Sequence, residues 1–295
     1  MHRMRFVIAA VVVVAASAPA LAQRDFDAIE IKVTRVAGKV YMLEGAGGNI
    51  GVSAGDDGLL MIDDQFAPLA PKIKAALRDI AEGELKFVIN THWHGDHTGG
   101  NEVFGAEATI IAHHNVRRRL AGDPKMGDRV ARDKPKQALP VVTYPDELHV
   151  HFNGETIRVV HFPHGHTDGD SVVFFPQSNV VHMGDDFFAG RYPFVDLGAG
   201  GDVQGLADNI AKILAMLPKD VKVIPGHGPL SGRADLELYH EMLVASLQLV
   251  KRARAAGKSA AEIEQTGMPE RWNGWGDGFI STDRWLQTVY DSLAR

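Results

Sequence analysis

The chain of 295 residues contains no cysteine. Disulfide bonds and thiolate metal ligands are therefore excluded, and a metal site in this protein has to be built from nitrogen and oxygen donors. A basic surface is missing as well, because the net charge is −6 and no stripe of lysine or arginine follows the sequence. We therefore expect no nucleic-acid partner.

Apolar runs long enough to cross a bilayer are also lacking. Residues 6–16 form an apolar stretch that is too short to span the hydrocarbon core. A basic start at His2, Arg3 and Arg5 precedes this stretch, and the Ala-Leu-Ala of residues 20–22 has the small-x-small pattern of a cleavage site. The pattern predicts a secretory signal peptide over residues 1–22, secretion to the periplasm, and no stable membrane insertion after cleavage.

The remaining sequence predicts a protein of mixed α and β structure. Alternating apolar residues predict strands over residues 29–36, 39–44, 50–54 and 59–62. Apolar residues at helical spacing predict helices over residues 68–81 and 203–217. Asn153-Gly154 lies between two apolar strands and predicts a type I′ hairpin. From residue 233 onward the pattern becomes helical, so we predict one domain over residues 29–232 and a C-terminal helical extension over residues 233–295 that packs on it.

The most informative segment is Thr-His-Trp-His-Gly-Asp-His-Thr-Gly-Gly at residues 91–100, directly after a predicted buried strand. His92 and His94 are two positions apart, so their side chains point the same way in an extended chain. Asp96 and His97 follow where the chain turns into a helix. Imidazoles and a carboxylate at this density suit zinc or another borderline divalent metal.

Three further candidate ligands, His166, Asp185 and His227, each follow an apolar run and stand near glycine. Loops at one edge of a rigid sheet commonly carry functional sites, so we interpret the three as one set with the histidine-rich segment. Two neighbours compete with them. The threonine after His166 favours it over His164, and the glycine before Asp185 favours it over Asp186.

Over roughly residues 30–230, the sequence resembles the metallo-β-lactamase superfamily. The resemblance rests on the pattern His92-x-His94-x-Asp96-His97, followed in this order by His166, Asp185 and His227. The resemblance implies an α+β fold, a four-layer αββα sandwich with the metals at one edge of its two sheets. It also implies a first metal held by His92, His94 and His166, a second metal held by Asp96, His97 and His227, and a bridge between the two through Asp185.

The same resemblance implies a dinuclear zinc hydrolase. Two Zn²⁺ ions per chain, with iron or manganese as alternatives, would hold a hydroxide that attacks an acyl carbonyl, and Asp96 would act as the catalytic residue that orients it. The substrate would be a small molecule with an amide, ester or thioester bond, and a β-lactam is one such compound. The Asp bridge resembles that of glyoxalase II and the lactonases, whereas predicted export resembles the β-lactamases. The sequence leaves the oligomeric state open.

Two alternatives stay open at this point. Persulfide dioxygenases of the same superfamily keep the full motif but use one iron, so an iron-dependent oxidoreductase is the second hypothesis. A metal-binding protein without turnover is the third hypothesis. Di-iron oxygen reductases carry glutamate at the second histidine, and His94 argues against them.

Other residues receive more local interpretations. Arg191 and Tyr192 follow the Asp185 segment and are candidates to contact an anionic substrate, with a surface loop as the alternative. Asp63 ends a strand and is either a hydrogen-bond partner for a ligand histidine or a turn residue. Residues 117–119, three arginines, are predicted to be a solvent-exposed face. The helical tail is predicted to dock on the sandwich through Trp272, Trp275 and Trp285, and the alternative is that these residues form a wall of the site.

Overall fold

The computed structural model describes residues 25–295, so the predicted signal peptide over residues 1–22 lies outside the described residues. The first sheet has seven strands in chain order: β1 (Lys32–Ala37), β2 (Val40–Glu44), β3 (Ile50–Gly55), β4 (Gly58–Ile62), β5 (Leu85–Asn90), β6 (Thr109–His113) and β7 (Val142–Tyr144). Strands β1 to β4 run antiparallel, whereas β4 to β7 are parallel.

The second sheet has six strands: β8 (Glu147–Phe152), β9 (Glu155–His161), β10 (Ser171–Phe175), β11 (Val180–His182), β12 (Lys222–Ile224) and β13 (Ser231–Gly232). Their spatial order runs from β13 to β8, and β11 and β12 are the parallel pair among antiparallel neighbours. The β8–β9 hairpin turns at Asn153 and Gly154, both with positive φ, as the type I′ prediction requires.

The α-helices are α1 (Ala70–Ile80), α2 (Gly95–Thr98), α3 (Asn101–Phe104), α4 (His114–Leu120), α5 (Val203–Met216), α6 (Arg233–Ala255), α7 (Ala260–Thr266) and α8 (Thr282–Ser292). Short 3₁₀ turns join several of them, and one at Gly184–Asp186 follows β11. Among the described residues, no helix combines the length and the apolar character that crossing a membrane requires.

Alternation along the strands explains the layering. In β4, Leu60 and Ile62 face the second sheet, while Leu59 and Met61 pack in the cluster around helix α1. In β10, residues 173 and 175 face the first sheet, while residues 172 and 174 pack toward α5, α6 and α8. Two sheets therefore lie face to face with helices on both outer sides, and the predicted αββα sandwich is confirmed.

The C-terminal helices form most of one outer layer. Leu236, Tyr239 and Leu243 of α6 are buried in the same apolar cluster as the second sheet. Trp285 of α8 is fully buried, and its Nε1 donates a hydrogen bond to Ser246 Oγ at 2.8 Å. The tryptophans of the tail thus dock it on the sandwich, as the sequence predicts.

The sequence did not predict strand β7, which is only three residues long and therefore shows no usable alternation. One local expectation was wrong. Arg119 does not lie on a solvated face. It is 3% exposed, and its guanidinium pairs with Asp168 at 2.7 Å because the charged loop after α4 folds over it.

Candidate metal centre

The candidate ligands meet at one edge of the sandwich because they follow strands whose carboxyl ends point the same way. His92 follows β5 and lies beside the end of its parallel neighbour β4. Asp185 follows β11 and His227 follows β12, and these strands are also parallel neighbours. Each sheet thus carries part of the set to a shared edge.

The first group consists of His92, His94, His166 and Asp185, each with a ligand atom within 4.8 Å of the others. His94 Nδ1 lies 3.1 Å from His92 Nε2 and 2.8 Å from His166 Nε2. Three imidazole nitrogens therefore point at one position.

The second group consists of Asp96, His97 and His227. The Nε2 atoms of the two histidines are 3.4 Å apart, and Asp96 Oδ2 lies 3.4 Å from His227 Nε2 and 3.8 Å from His97 Nε2. The structure thus brings all seven predicted ligands together in two adjacent groups.

Asp185 connects the groups. Its Oδ2 faces the first, at 3.7 Å from His92 Nε2 and 3.4 Å from His166 Nε2. Its Oδ1 faces the second group, at 3.1 Å from His97 Nε2 and 3.3 Å from His227 Nε2. Oδ1 is buried and has no hydrogen-bond partner among the described residues. A buried carboxylate oxygen without a donor is costly, and a cation between the groups would satisfy it.

The hydrogen bonds behind the imidazoles fix which nitrogen faces inward. His166 Nδ1 lies 2.6 Å from the carbonyl oxygen of Phe194, and His92 Nδ1 lies 3.1 Å from Thr91 Oγ1. His97 Nδ1 lies 2.7 Å from Asp63 Oδ2, so Asp63 is the histidine partner that the sequence suggested. Partners of this kind orient ligand histidines, and they leave the Nε2 lone pairs directed at the centre.

The imidazole ring of His94 has the opposite orientation. Its Nε2 lies 2.9 Å from Asp196 Oδ2, and its Nδ1 faces the centre. Asp196 also accepts a hydrogen bond from Arg129 Nη2 at 2.7 Å. Neither Asp196 nor Arg129 was identified from the sequence, because a single aspartate or arginine in a loop carries no spacing signal.

The electrostatics of the groups also fit bound cations. Burial lowers the pKa of His92 well below its usual value and that of His166 to about 4, so both imidazoles are neutral and keep a lone pair. Burial lowers the pKa of His97 too, but the carboxylates of Asp185, Asp96 and Asp63 outweigh it and raise that pKa well above normal. Three carboxylates around one buried imidazole favour any positive charge placed there.

Close packing leaves no room for side chains at two glycines beside the centre. A Cβ on Gly48 would lie 2.1 Å from His97 Cε1, and a Cβ on Gly226 would lie 2.1 Å from Asp185 Oδ1. Real Cβ atoms never approach so closely. Glycine at these positions lets the two loops press against a ligand histidine and against Asp185.

A family model for the metallo-β-lactamase superfamily matches residues 43–227, which span most of both sheets and contain all seven candidate ligands. The chain belongs to the metallo-β-lactamase superfamily. The matched segment begins in β2 and ends at His227, so it includes both groups of candidate ligands.

Two curated relatives are similar to this superfamily member. The hydroxyacylglutathione hydrolase of Nitrosococcus oceani is 31% identical over 176 residues, which cover 56% of this chain and 58% of the relative. The atrochrysone carboxyl ACP thioesterase of Aspergillus fumigatus is 25% identical over 245 residues, which cover 78% of this chain and 52% of the relative. The chain thus spans somewhat over half the length of these two relatives.

Among solved structures, a metallo-β-lactamase from Pontibacter korlensis superimposes with a TM-score of 0.60 and 20% sequence identity. The match covers 72% of this chain and 99% of that one. At this identity the likeness concerns the fold, which agrees with the αββα sandwich described above.

A cavity of about 520 Å³ opens in front of the two groups and is lined by His94, Asp96, Asp185 and His227 together with apolar rings. Arg191 and Tyr192 line it as well, so both predicted substrate-contact residues lie beside the centre. Tyr192 is 2% exposed and stacks on Trp285, with ring centroids 5.8 Å apart. Whether the two residues touch substrate stays a prediction.

The competing residues lie elsewhere. His164 is exposed and belongs to neither group. Asp186 is buried beside Asp170, and burial raises the pKa of both carboxyl groups.

Phe279 lines the cavity although it belongs to the C-terminal segment, and the sequence reading missed it. An aromatic residue in the glycine-rich stretch before α8 was the available signal.

Proposed function

We propose that this protein is a dinuclear zinc hydrolase that cleaves a small-molecule acyl bond, with a thioester as the first substrate class and esters, amides and β-lactams as further candidates. The observation that carries the proposal is Asp185, whose two oxygens face two separate groups of histidines. The two relatives support the choice of a thioester, since one is named a hydrolase of hydroxyacylglutathione and the other a thioesterase.

Each side chain has a defined task in this proposal. His92, His94 and His166 would hold one ion, Asp96, His97 and His227 the other, and Asp185 both. Two divalent ions so bound lower the pKa of water and polarise an acyl carbonyl.

Asp96 is suited to proton transfer. Its side chain is 30% exposed, belongs to the second group and lines the cavity, so it reaches both the centre and a bound substrate. In thioester cleavage, the oxygen of water bonds to the acyl carbon and the carbon–sulfur bond breaks. Asp96 takes the proton released by water and passes it to the departing sulfur, which yields a carboxylic acid and a thiol.

The test begins with metal content and substrate range. We expect the zinc-reconstituted protein to hold about two zinc ions per chain and to hydrolyse at least one member of a panel of thioesters, esters, lactones and β-lactams. His94→Ala should lose metal and hydrolysis together. His149→Ala is the matched control, because His149 is half-exposed on β8 and pairs with Glu147.

Three outcomes would contradict the proposal. Undiminished hydrolysis by His94→Ala would remove the centre from the reaction. One iron per chain with an oxygen-consuming activity would support the oxidoreductase instead. A metal-loaded protein that hydrolyses nothing in the panel would support the non-catalytic metal-binding protein.

We also propose that the protein is exported to the periplasm, on the basis of the pattern over residues 1–22. Expression in a Gram-negative host followed by fractionation should place it in the periplasm, with Gln23 as the first residue of the mature chain. Recovery of the uncleaved chain in the cytoplasm would contradict this expectation.

A further inference from the structure

An aromatic wall leads from the ligand histidines to the cavity mouth. The ring of Phe194 lies 5.7 Å from that of His94 and 5.9 Å from that of His166, measured between centroids. The ring of Phe279 lies 6.4 Å from Phe194, farther out. Phe188 stacks on the His227 ring at 4.8 Å and lines the same cavity.

Phe279 is unusual because it is 75% exposed although it lines this cavity. A large apolar side chain held in water gains free energy when an apolar partner covers it. The surrounding structure holds the residue at the mouth, since Tyr192 N donates a hydrogen bond to the carbonyl oxygen of Trp275 at 3.2 Å. A substrate with an apolar arm would cover Phe279 on its way to the centre.

Positive charge accompanies the outer end of the wall. Arg191 lines the cavity, and a Cβ built on Gly278 would lie 3.7 Å from Arg191 Cδ, so its side chain lies against the segment that carries Phe279. The guanidinium of Arg284 lies over the Phe279 ring, 5.2 Å from its centroid. Within residues 25–295, the arginine ion pairs involve other side chains, namely Arg118, Arg119, Arg129, Arg158, Arg233 and Arg271.

Like several other arginines of residues 25–295, Arg191 and Arg284 have no carboxylate partner, so their guanidinium groups are available to an anionic ligand. They stand where an apolar arm would end, and cationic mouths of this kind favour anionic ligands. Building on the proposed hydrolase, we propose that the preferred substrate carries an apolar, aromatic-sized acyl arm with a negative charge at its outer end. Phe194 and Phe279 bind the arm, and Arg191 binds the charge.

The test uses thioesters of one thiol that differ only in the acyl group: 4-carboxyphenylacetyl, the isosteric neutral 4-carbamoylphenylacetyl, and acetyl. We expect kcat/KM to be about tenfold or more higher for the carboxylate than for the carbamoyl compound, because a charge-assisted hydrogen bond is gained. The preference should shrink as salt rises from about 0.05 to about 0.5 M, since the mouth is solvent-exposed.

Variants separate the contribution of Arg191 from that of Phe279. Arg191→Gln should abolish the preference for the carboxylate through KM, and Arg191→Lys should keep part of it because the charge remains. Arg252→Gln, an exposed site on α6, is the control with the same change of charge. Phe279→Ala should lower kcat/KM about threefold to tenfold for both arylacetyl compounds and by less for acetyl. Val141→Ala, at a 70% exposed position that does not line the cavity, is its control.

A second readout does not depend on turnover. Isothermal titration calorimetry of the products 4-carboxyphenylacetate and 4-carbamoylphenylacetate should show tighter binding of the former and loss of the difference in Arg191→Gln. Equal kcat/KM for the charged and neutral thioesters would overturn the inference while leaving the hydrolase intact. If the metal-loaded protein cleaves no thioester, the choice of a thioester substrate fails separately. Calorimetry of the two products then tests the binding site by itself, and equal affinity for them would overturn the inferred binding of the charged arm.

Discussion

Asp196 accepts hydrogen bonds from two side chains, His94 and Arg129. One oxygen accepts the hydrogen bond that turns His94 Nδ1 toward the centre, and the same carboxylate accepts hydrogen bonds from Arg129. Burial raises the pKa of Asp196, but its bonds to His94 and Arg129 outweigh burial and hold that pKa well below its usual range. The carboxylate is therefore ionised at neutral pH, and His94 keeps one orientation.

We predict that Asp196→Asn weakens zinc binding by about 10-fold to 100-fold, because the partner of a ligand histidine sets its orientation and basicity. Arg129→Gln should weaken it in the same direction but by less, because Asp196 would remain. Competition with a chromophoric chelator measures both affinities directly. Arg158→Gln, which removes an arginine paired with exposed Glu147, serves as the control. Wild-type affinity in Asp196→Asn would mean that His94 needs no such partner.

At the scale of single residues, the sequence predicted what spacing and strand position encode. His92, His94, Asp96 and His97 stand close together in sequence, and the distant ligands each follow a strand. Phe279 and Arg129 are invisible to that reasoning because loop conformation brings them to the site.

Between the elements, a pair of histidines joins the two sheets. His113 ends β6 and His161 ends β9, and their rings stack at 3.7 Å between centroids with an angle of 10°. Each is tied to a backbone carbonyl, His113 to that of Pro145 and His161 to that of Asp170. Burial lowers the pKa of His113 to about 4, and it also lowers the pKa of His161.

These directions set the pH dependence of stability. A histidine has a pKa of about 6.5 when unfolded, so between that pH and about 4 the unfolded chain takes up protons that folded His113 does not. The stabilisation is therefore complete above about pH 6.5 and is lost as the pH falls toward 4. The neighbouring charged groups are His114 and Asp168.

We expect the urea midpoint of the metal-free protein to fall less steeply with acid in His113→Gln than in the wild type, and His149→Gln to follow the wild type. Midpoints at about pH 7.5, 6 and 5 are sufficient to show it. Parallel curves for His113→Gln and the wild type would show that the stacked pair does not contribute to acid sensitivity.

At the scale of elements, signals confined to a few residues were reliable. The predicted Asn153-Gly154 turn appears in the structure. Strand β7 was missed because its pairing with β6 depends on a partner far away in sequence. Arg119 was misjudged for a similar reason, since only the folded loop shows that Asp168 neutralises it.

Across the whole molecule, the C-terminal helices share one core with the second sheet. Trp285 lies in that core, contacts Tyr192 of the cavity wall by stacking and donates to Ser246 of α6. The four-layer fold was predictable from the superfamily motif, but the position of Phe279 in the wall of the cavity was not. The metal-ligand motif does not indicate which distant segment of the chain packs next to the ligands.

We predict that Trp285→Ala lowers the free energy of unfolding by about 3–5 kcal/mol, since it leaves a large cavity and removes the donor to Ser246. Met216→Ala, at a 49% exposed position, should change it by less than about 0.5 kcal/mol. Chemical denaturation followed by circular dichroism measures both. A small effect of Trp285→Ala would indicate that the tail is only loosely attached.

The inverted orientation of His94 has a spectroscopic consequence. Its Nε2 is hydrogen-bonded to Asp196, so the ring is protonated there, whereas His92 and His166 are hydrogen-bonded through Nδ1. Two tautomers of neutral imidazole therefore coexist within one cluster. Long-range nitrogen–proton correlation spectra distinguish the two tautomers, and the Nε2-protonated signal that disappears in His94→Gln reports on His94 in solution without any substrate.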